Sequence, residues 1–268
     1  MKVDEIRSLL SNNGVAYGTL ITAPSPHWVK PLSGIGMDFV FLDTEHVSLG
    51  PDMLGWMCQA YGAAGIAPIV RVTSPDPAFV SRAIDAGAAG IVAPYIETPE
   101  QVRALSGAVK WKPLKGERLE KLLAGEERPE PGLRTYLDSR SKDLLLLPNI
   151  ESVPALGRLD DILEVPGLDG IILGPHDLSC SLGIPEEYGD PLFKKAVKTL
   201  FSKARGKGLI AGAHFMRCGE TALAAEWVRF GCNFLIMHGD IVYTVDGLAR
   251  DLAKLRGASK GYGVSIAV

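Results

Sequence analysis

Residues 169–179 read DGIILGPHDLS: an unbroken apolar run, a Gly-Pro bend, and then a stretch able to open a helix. A strand with one wet face alternates apolar and polar residues. This run does not, so both of its faces are buried, as in a parallel sheet covered by helices. Seven further runs share the pattern: VAYGTLIT (15–22), DFVFLD (38–43), APIVRV (67–72), GIVAP (90–94), LLLLPNI (144–150), LIAGAH (209–214) and NFLIMH (233–238). Amphipathic stretches at 52–64, 76–86, 98–110, 154–164, 191–206, 219–230 and 241–256 separate them. Eight strand–helix units predict a closed (β/α)8, or TIM, barrel. A doubly wound open sheet would carry a Gly-rich nucleotide turn after its first strand, and TLITAPSP (19–26) is not one.

The 268 residues suit one such domain spanning 1–268, with a core large enough to need no staples. One segment breaks the rhythm. Residues 111–142, rich in charge, proline and glycine, separate the fourth helix from the fifth strand and are expected to form a lid or interface arm. The 28 basic and 31 acidic residues leave a net charge of −3, which argues against a nucleic-acid partner. No apolar stretch approaches the roughly 20 residues of a membrane span. The N-terminus, MKVDEIRSLLSNNG, is charged where a signal peptide needs its apolar run, so a cytoplasmic location is expected. Cys58, Cys180, Cys218 and Cys232 form no CxxC pair and are expected to be reduced and mostly buried.

Active sites of such barrels sit at the C-terminal ends of the strands, and polar residues gather there. The second strand ends in Asp43, Thr44, Glu45 and His46, and the third in Arg71. Asn149 and Glu151 follow the fifth, Gly174, Pro175, His176 and Asp177 the sixth, His214 the seventh, and His238 and Asp240 the eighth. Glu151 and Asp177 follow neighbouring strands, so their carboxylates can converge on a hard divalent cation such as Mg2+ or Mn2+. Both could instead be ordinary loop acids, with Asp177 capping the next helix. The GPHDLS turn can present backbone N–H groups of His176 and Asp177 to an anion. Arg71 suits an enolate or keto oxygen, or else an internal salt bridge. His46, beside acids in DTEH, suits proton transfer. His27 reads as a loop residue, while His214 and His238 either line the pocket or pack.

In this order FVFLDTEH (39–46), APIVRV (67–72), AIDAGAAGIVAP (83–94), NIES (149–152), VPGLDGIILGPHDLSCSLG (165–183) and LIAGAHF (209–215) resemble the HpcH/HpaI aldolase family of metal-dependent class II pyruvate aldolases. The resemblance covers nearly the whole chain. It implies a carbon–carbon lyase that cleaves or forms 4-hydroxy-2-oxo acids from a pyruvate enolate and an aldehyde. Glu151 and Asp177 would hold Mg2+, Mn2+ or Co2+. Arg71 would stabilise the enolate, and the amides of His176 and Asp177 would hold the substrate carboxylate. His46 would be the base, by way of a water, with Asp85 of an adjoining subunit raising its basicity. That last role requires a homo-oligomer, in the family a hexamer. Lys112, Lys115 or Arg118 of the insertion would then border the neighbour's pocket. Two departures stand out: Asn149 where many relatives have glutamine, and no Arg-Gly signature in 111–142. An acyl-CoA lyase of the citramalyl/malyl-CoA type or an oxaloacetate decarboxylase could use the same barrel.

Overall fold

The computed structural model describes residues 2–215 and 220–259, so Cys218 lies outside the described residues. Eight strands, β1 (Ala16–Leu20), β2 (Phe39–Asp43), β3 (Ala67–Arg71), β4 (Gly90–Ala93), β5 (Leu145–Ile150), β6 (Gly170–Leu173), β7 (Ile210–His214) and β8 (Phe234–Gly239), close in chain order into one barrel. Every pairing is parallel, including β1 with β8. The helices are α1 (Val3–Ser11), α2 (Val29–Gly34), α3 (Pro51–Ala63), α4 (Pro77–Ala86), α5 (Pro99–Lys110), α6 (Gly116–Ala124), α7 (Pro131–Ser141), α8 (Val153–Gly157), α9 (Leu159–Leu163), α10 (Pro175–Ser181), α11 (Pro191–Gly206), α12 (Thr221–Arg229) and α13 (Asp240–Ala258).

Strand parity builds two cores. Side chains alternate across a strand, so Phe39, Phe41, Ala67, Ile69, Leu145, Leu147, Phe234 and Ile236 fill the barrel interior. Val40, Leu42, Val70, Leu146, Ile171 and Ala211 face out against the helices. This is why the runs are apolar throughout rather than alternating. Burying each of the larger side chains, Val, Leu, Ile or Phe, contributes about 1.5–3 kcal/mol. The rings of Phe39 and Phe234 stack 3.9 Å apart inside the seam that β1 closes. Gly18 makes room for them: a Cβ there would lie 2.2 Å from the Phe39 ring. At the N-terminal end α1 plugs the interior with Val3, Ile6 and Leu10, which share one helical face.

Parity also places the site. One step beyond the apolar layers, the inward positions are Asp43 on β2, Arg71 on β3, Asn149 on β5 and His214 on β7, all buried. The polar mouth is thus the continuation of the core's own alternation.

One expectation needs correction, and two others gain detail. The stretch 154–164 is two short helices, α8 and α9, broken at Arg158. The segment 111–142 is largely helical: α6 and α7 pack on α5, with the Leu123 side chain seated over Gly107. Cys180 is exposed, while Cys58 and Cys232 are buried and their thiols are pushed up to about 12 by burial. No helix among the described residues is long and apolar enough to cross a membrane.

Candidate active site

A cavity of about 370 Å³ opens at the C-terminal mouth of the barrel. Among its lining residues are Asp43, His46, Arg71, Asn149, Gly174, His176, Asp177 and His214; with Thr22 after β1 and Ile236 on β8, seven chain segments meet there. Glu151 and Glu45 adjoin this lining through Asn149 and Arg71.

Arg71 is held as a fork. Its Nε donates to Asp43 Oδ1 at 2.9 Å and its Nη2 to Asp43 Oδ2 at 2.6 Å, both side chains at least nine-tenths buried. Glu45 Oε2 lies 3.2 Å from the same Nε, and the guanidinium sits 5.5 Å over the Phe41 ring. Burial opposes ionisation of Asp43, but the Arg71 hydrogen bonds and charge outweigh it and hold the carboxyl below its ordinary range. Arg71 is therefore both readings at once, a buried ion pair and a cavity wall. Its Nη1 makes no hydrogen bond among the described residues, which leaves a donor for an oxyanion.

Glu151 follows β5 and is 9% exposed. Its Oε1 accepts from the Tyr95 amide at 2.9 Å and its Oε2 from Asn149 Nδ2 at 3.0 Å. Gly174, at the end of β6, must lack a side chain, since a Cβ would come within 2.6 Å of Glu151 Oε2. Burial raises the Glu151 carboxyl, and the charges of Asp177 and Glu45 raise it further. Asp177 is exposed and is the third residue of α10, whose N-cap is Gly174, so it is not the cap. It accepts no hydrogen bond among the described residues.

Among the described residues, four acids, Asp43, Glu45, Glu151 and Asp177, thus gather near a single guanidinium, that of Arg71. Two buried oxygens there have no hydrogen-bond partner, Glu45 Oε2 and Asn149 Oδ1. That surplus of carboxylate fits a divalent cation. Among the described residues no three His, Cys, Asp or Glu side chains form a ready cluster. Two carboxylates suffice where water and substrate oxygens complete the shell.

His46 is exposed, its Nε2 3.8 Å from Glu45 Oε2. His214 lines the cavity from β7, and burial lowers it to about 3, so it stays a neutral imidazole at ordinary pH. His238 lies elsewhere, in an outer groove against α12. A register shift between Thr19 and Leu20, where β1 meets β8, interrupts the regular pairing at this seam. His27 sits in a short 3-10 turn. Asp85, on α4, is not brought to His46: it pairs with Lys112, while Arg118 pairs with Glu130. The alternation reading singled out neither Tyr95, which follows β4, nor the placement of Glu45 between Arg71 and His46.

Residues 17–231 match the family model described as HpcH/HpaI aldolase/citrate lyase. The chain belongs to this family. A 2-keto-3-deoxy-L-rhamnonate aldolase of Shigella boydii serotype 4 is 27% identical over 252 residues, covering 94% of this chain and 93% of that one. The solved citrate synthase SbnG superposes with a TM-score of 0.79 at 28% identity, covering 95% of this chain and 98% of that one. An HpcH/HpaI aldolase from Desulfitobacterium hafniense gives 0.79 at 23% identity, covering 93% and 96%, and so speaks for the fold alone. The HpcH/HpaI chain described here is accordingly an enzyme of the carbon–carbon lyase class.

Proposed function

We propose that this chain is a divalent-cation-dependent aldolase that cleaves or forms 4-hydroxy-2-oxo acids, joining a pyruvate enolate to an aldehyde. The observation that carries the reading is the mouth's charge pattern: among the described residues, four acids gather near one guanidinium whose Nη1 is left for substrate. The rhamnonate relative's named substrate, a 2-keto-3-deoxy acid, belongs to this chemical class.

Glu151 and Asp177 hold Mg2+, Mn2+ or Co2+, which when bound supplies a Lewis acid beside the keto oxygen. The N–H groups of His176 and Asp177, in the first turn of α10, hold the substrate carboxylate. Arg71 Nη1 stabilises the enolate oxygen, and the Asp43 fork keeps that nitrogen in place. Asn149 Oδ1 accepts from a substrate hydroxyl, and bare Gly174 lets the substrate approach Glu151. His46 takes the proton.

Asp85 serves His46 only across subunits, so the reading includes a homo-oligomer, a hexamer by family resemblance. One feature supports assembly. On α13, Ile241, Val245, Leu248, Leu252 and Leu255 are all exposed at alternating spacings of four and three. A groove of about 530 Å³, lined by Tyr17, Ala224, Val228, Leu235 and Met237, lies open along β1, β8 and α12. The two apolar surfaces fit a second copy of this chain.

The test is a retro-aldol screen with coupled pyruvate detection, run with and without EDTA. Substrates are 2-keto-3-deoxy-L-rhamnonate, other 4-hydroxy-2-oxo acids, oxaloacetate and citramalyl-CoA. Pyruvate release from a hydroxy-oxo acid that EDTA abolishes and Mn2+ restores is expected. Full activity in EDTA, or trapping of a lysine Schiff base by borohydride, would sink the reading. Turnover of oxaloacetate or citramalyl-CoA alone would redirect it.

A further inference from the structure

Tyr95 has a backbone that bulky residues avoid. Its φ is +56°, in the left-handed region, where a β-carbon crowds the chain. Such strain persists only where the surroundings over-determine it, and it gathers at functional sites. Here the surroundings are specific. The Tyr95 amide donates to Glu151 Oε1 at 2.9 Å, and the Tyr95 carbonyl accepts from Gln101 Nε2 at 3.1 Å. The Oε1 of Gln101 is itself fixed by the amides of Glu97 and Thr98, at the start of α5. The peptide is therefore clamped between α5 and the candidate metal ligand.

The side chain goes elsewhere. Tyr95 is 58% exposed, and the neighbouring Glu45 carboxylate, as hydrogen-bond partner and as charge, raises its phenol. Glu45 in turn lies 3.2 Å from Arg71 Nε and 3.8 Å from His46 Nε2. One residue thus touches both halves of the mouth, Glu151 through its main chain and the Glu45–His46–Arg71 group through its side chain. An unstrained backbone at position 95 would not aim both at once.

We propose that Tyr95 is a positioning residue that couples the cation-holding half of the site to the proton-transfer half. The idea rests on the aldolase reading for what each half does. Its amide orients Glu151, leaving the carboxylate's free lone pairs toward the cavity. Its phenol steadies Glu45, which sets the place of His46. The strain is kept because it serves both contacts.

Three full-length variants test this: Tyr95→Phe, Tyr95→Gly and Tyr95→Asn. Each is measured for kcat and KM in pyruvate release, for Mn2+ affinity by calorimetry, and for Tm. Tyr95→Phe keeps the amide and loses the phenol, so kcat should fall about tenfold while Mn2+ affinity and Tm hold. Tyr95→Gly relieves the strain but frees the peptide, so Tm should stay level or rise while Mn2+ binding weakens severalfold and kcat drops. Tyr95→Asn, which tolerates positive φ, should recover Mn2+ affinity better than glycine but not kcat. Wild-type kcat in Tyr95→Phe, or wild-type Mn2+ affinity in Tyr95→Gly, overturns the proposal. Failure of the aldolase reading looks different: wild-type protein that neither binds Mn2+ nor releases pyruvate.

Discussion

The two ends of the barrel each bury carboxylates beside basic side chains, and they treat them in opposite ways. At the N-terminal end Asp169 is saturated. Its Oδ1 takes Arg7 at 2.7 Å, and its Oδ2 takes the Leu146 amide at 2.7 Å and Lys110 at 2.8 Å. Arg7 and Lys110 spend further donors on the Leu144 carbonyl. At the C-terminal end the count is unbalanced: among the described residues acids outnumber cations, Glu45 Oε2 and Asn149 Oδ1 lack hydrogen bonds, and Glu151 is raised by burial and by its neighbours' charges. A closed network holds the fold, whereas an open one keeps capacity for a ligand. The contrast matches the division of labour between the two faces of this fold.

The comparison can be broken from either end. The largest effect is expected at Arg71. Arg71→Lys keeps a charge but loses the fork to Asp43 and the free Nη1, so kcat should fall on the order of a hundredfold. A Tm within a few degrees of wild type would show that the loss is chemical. Near-wild-type kcat would remove Arg71 from the enolate role.

Asp169→Asn is the reciprocal experiment. It leaves Arg7 and Lys110 without their shared anion, which should cost about 2 kcal/mol, discounted for the partial exposure of Arg7. Tm should drop by roughly 4–8 °C, while kcat per folded molecule stays within about twofold, as expected for the stability face. Lost turnover at unchanged Tm would mean that this end is not merely structural.

His214 sharpens the contrast with a smaller effect. Its folded value is lowered to about 3 by burial, so between there and about 6.5 the unfolded chain binds a proton that the folded chain refuses. Stability must therefore fall as pH falls through that window. At pH 5.5 this group alone should remove about 1 kcal/mol relative to pH 7. Denaturant titrations of wild type and His214→Gln at both pH values measure it. Equal pH dependence in the two proteins would show that His214 takes up its proton freely when folded.

Much of this was legible beforehand, for a physical reason. Parallel strands covered on both faces leave unbroken apolar runs, and all eight runs became strands whose ends moved by one or two residues. The residues brought to the cavity lie at the ends of those runs or just after them, so strand ends and site coincide. What escaped notice depends on contacts between loops. Tyr95 follows β4 in an ordinary-looking APYIE, and nothing local shows that its amide meets Glu151, 56 residues away. Glu45 was visible in DTEH, but its place between Arg71 and His46 is set by the turn it makes on Asp43. The helices of 111–142 hid behind charge and proline, although Leu119, Leu122 and Leu123 stand at helical spacing. The helical break at Arg158 had no clear signal.

The barrel's closure sets an order of events for the growing chain. β1 finds its second neighbour only in β8, and Thr19 Oγ1 donates to the His238 carbonyl 219 residues further on. Asp240, 218 residues from Thr22, accepts from both the amide and the hydroxyl of Thr22 and from the Ala23 amide, pinning the loop that leads into the cavity's Thr22 wall. A ribosome must therefore release almost the whole chain before the sheet loses its two raw edges. Until then seven paired strands present unpaired amides on each side, and the mouth lacks one wall. Cleavage competence arrives with the last strand, so a polypeptide truncated before residue 234 would have most of the site's residues and no closed barrel to hold them.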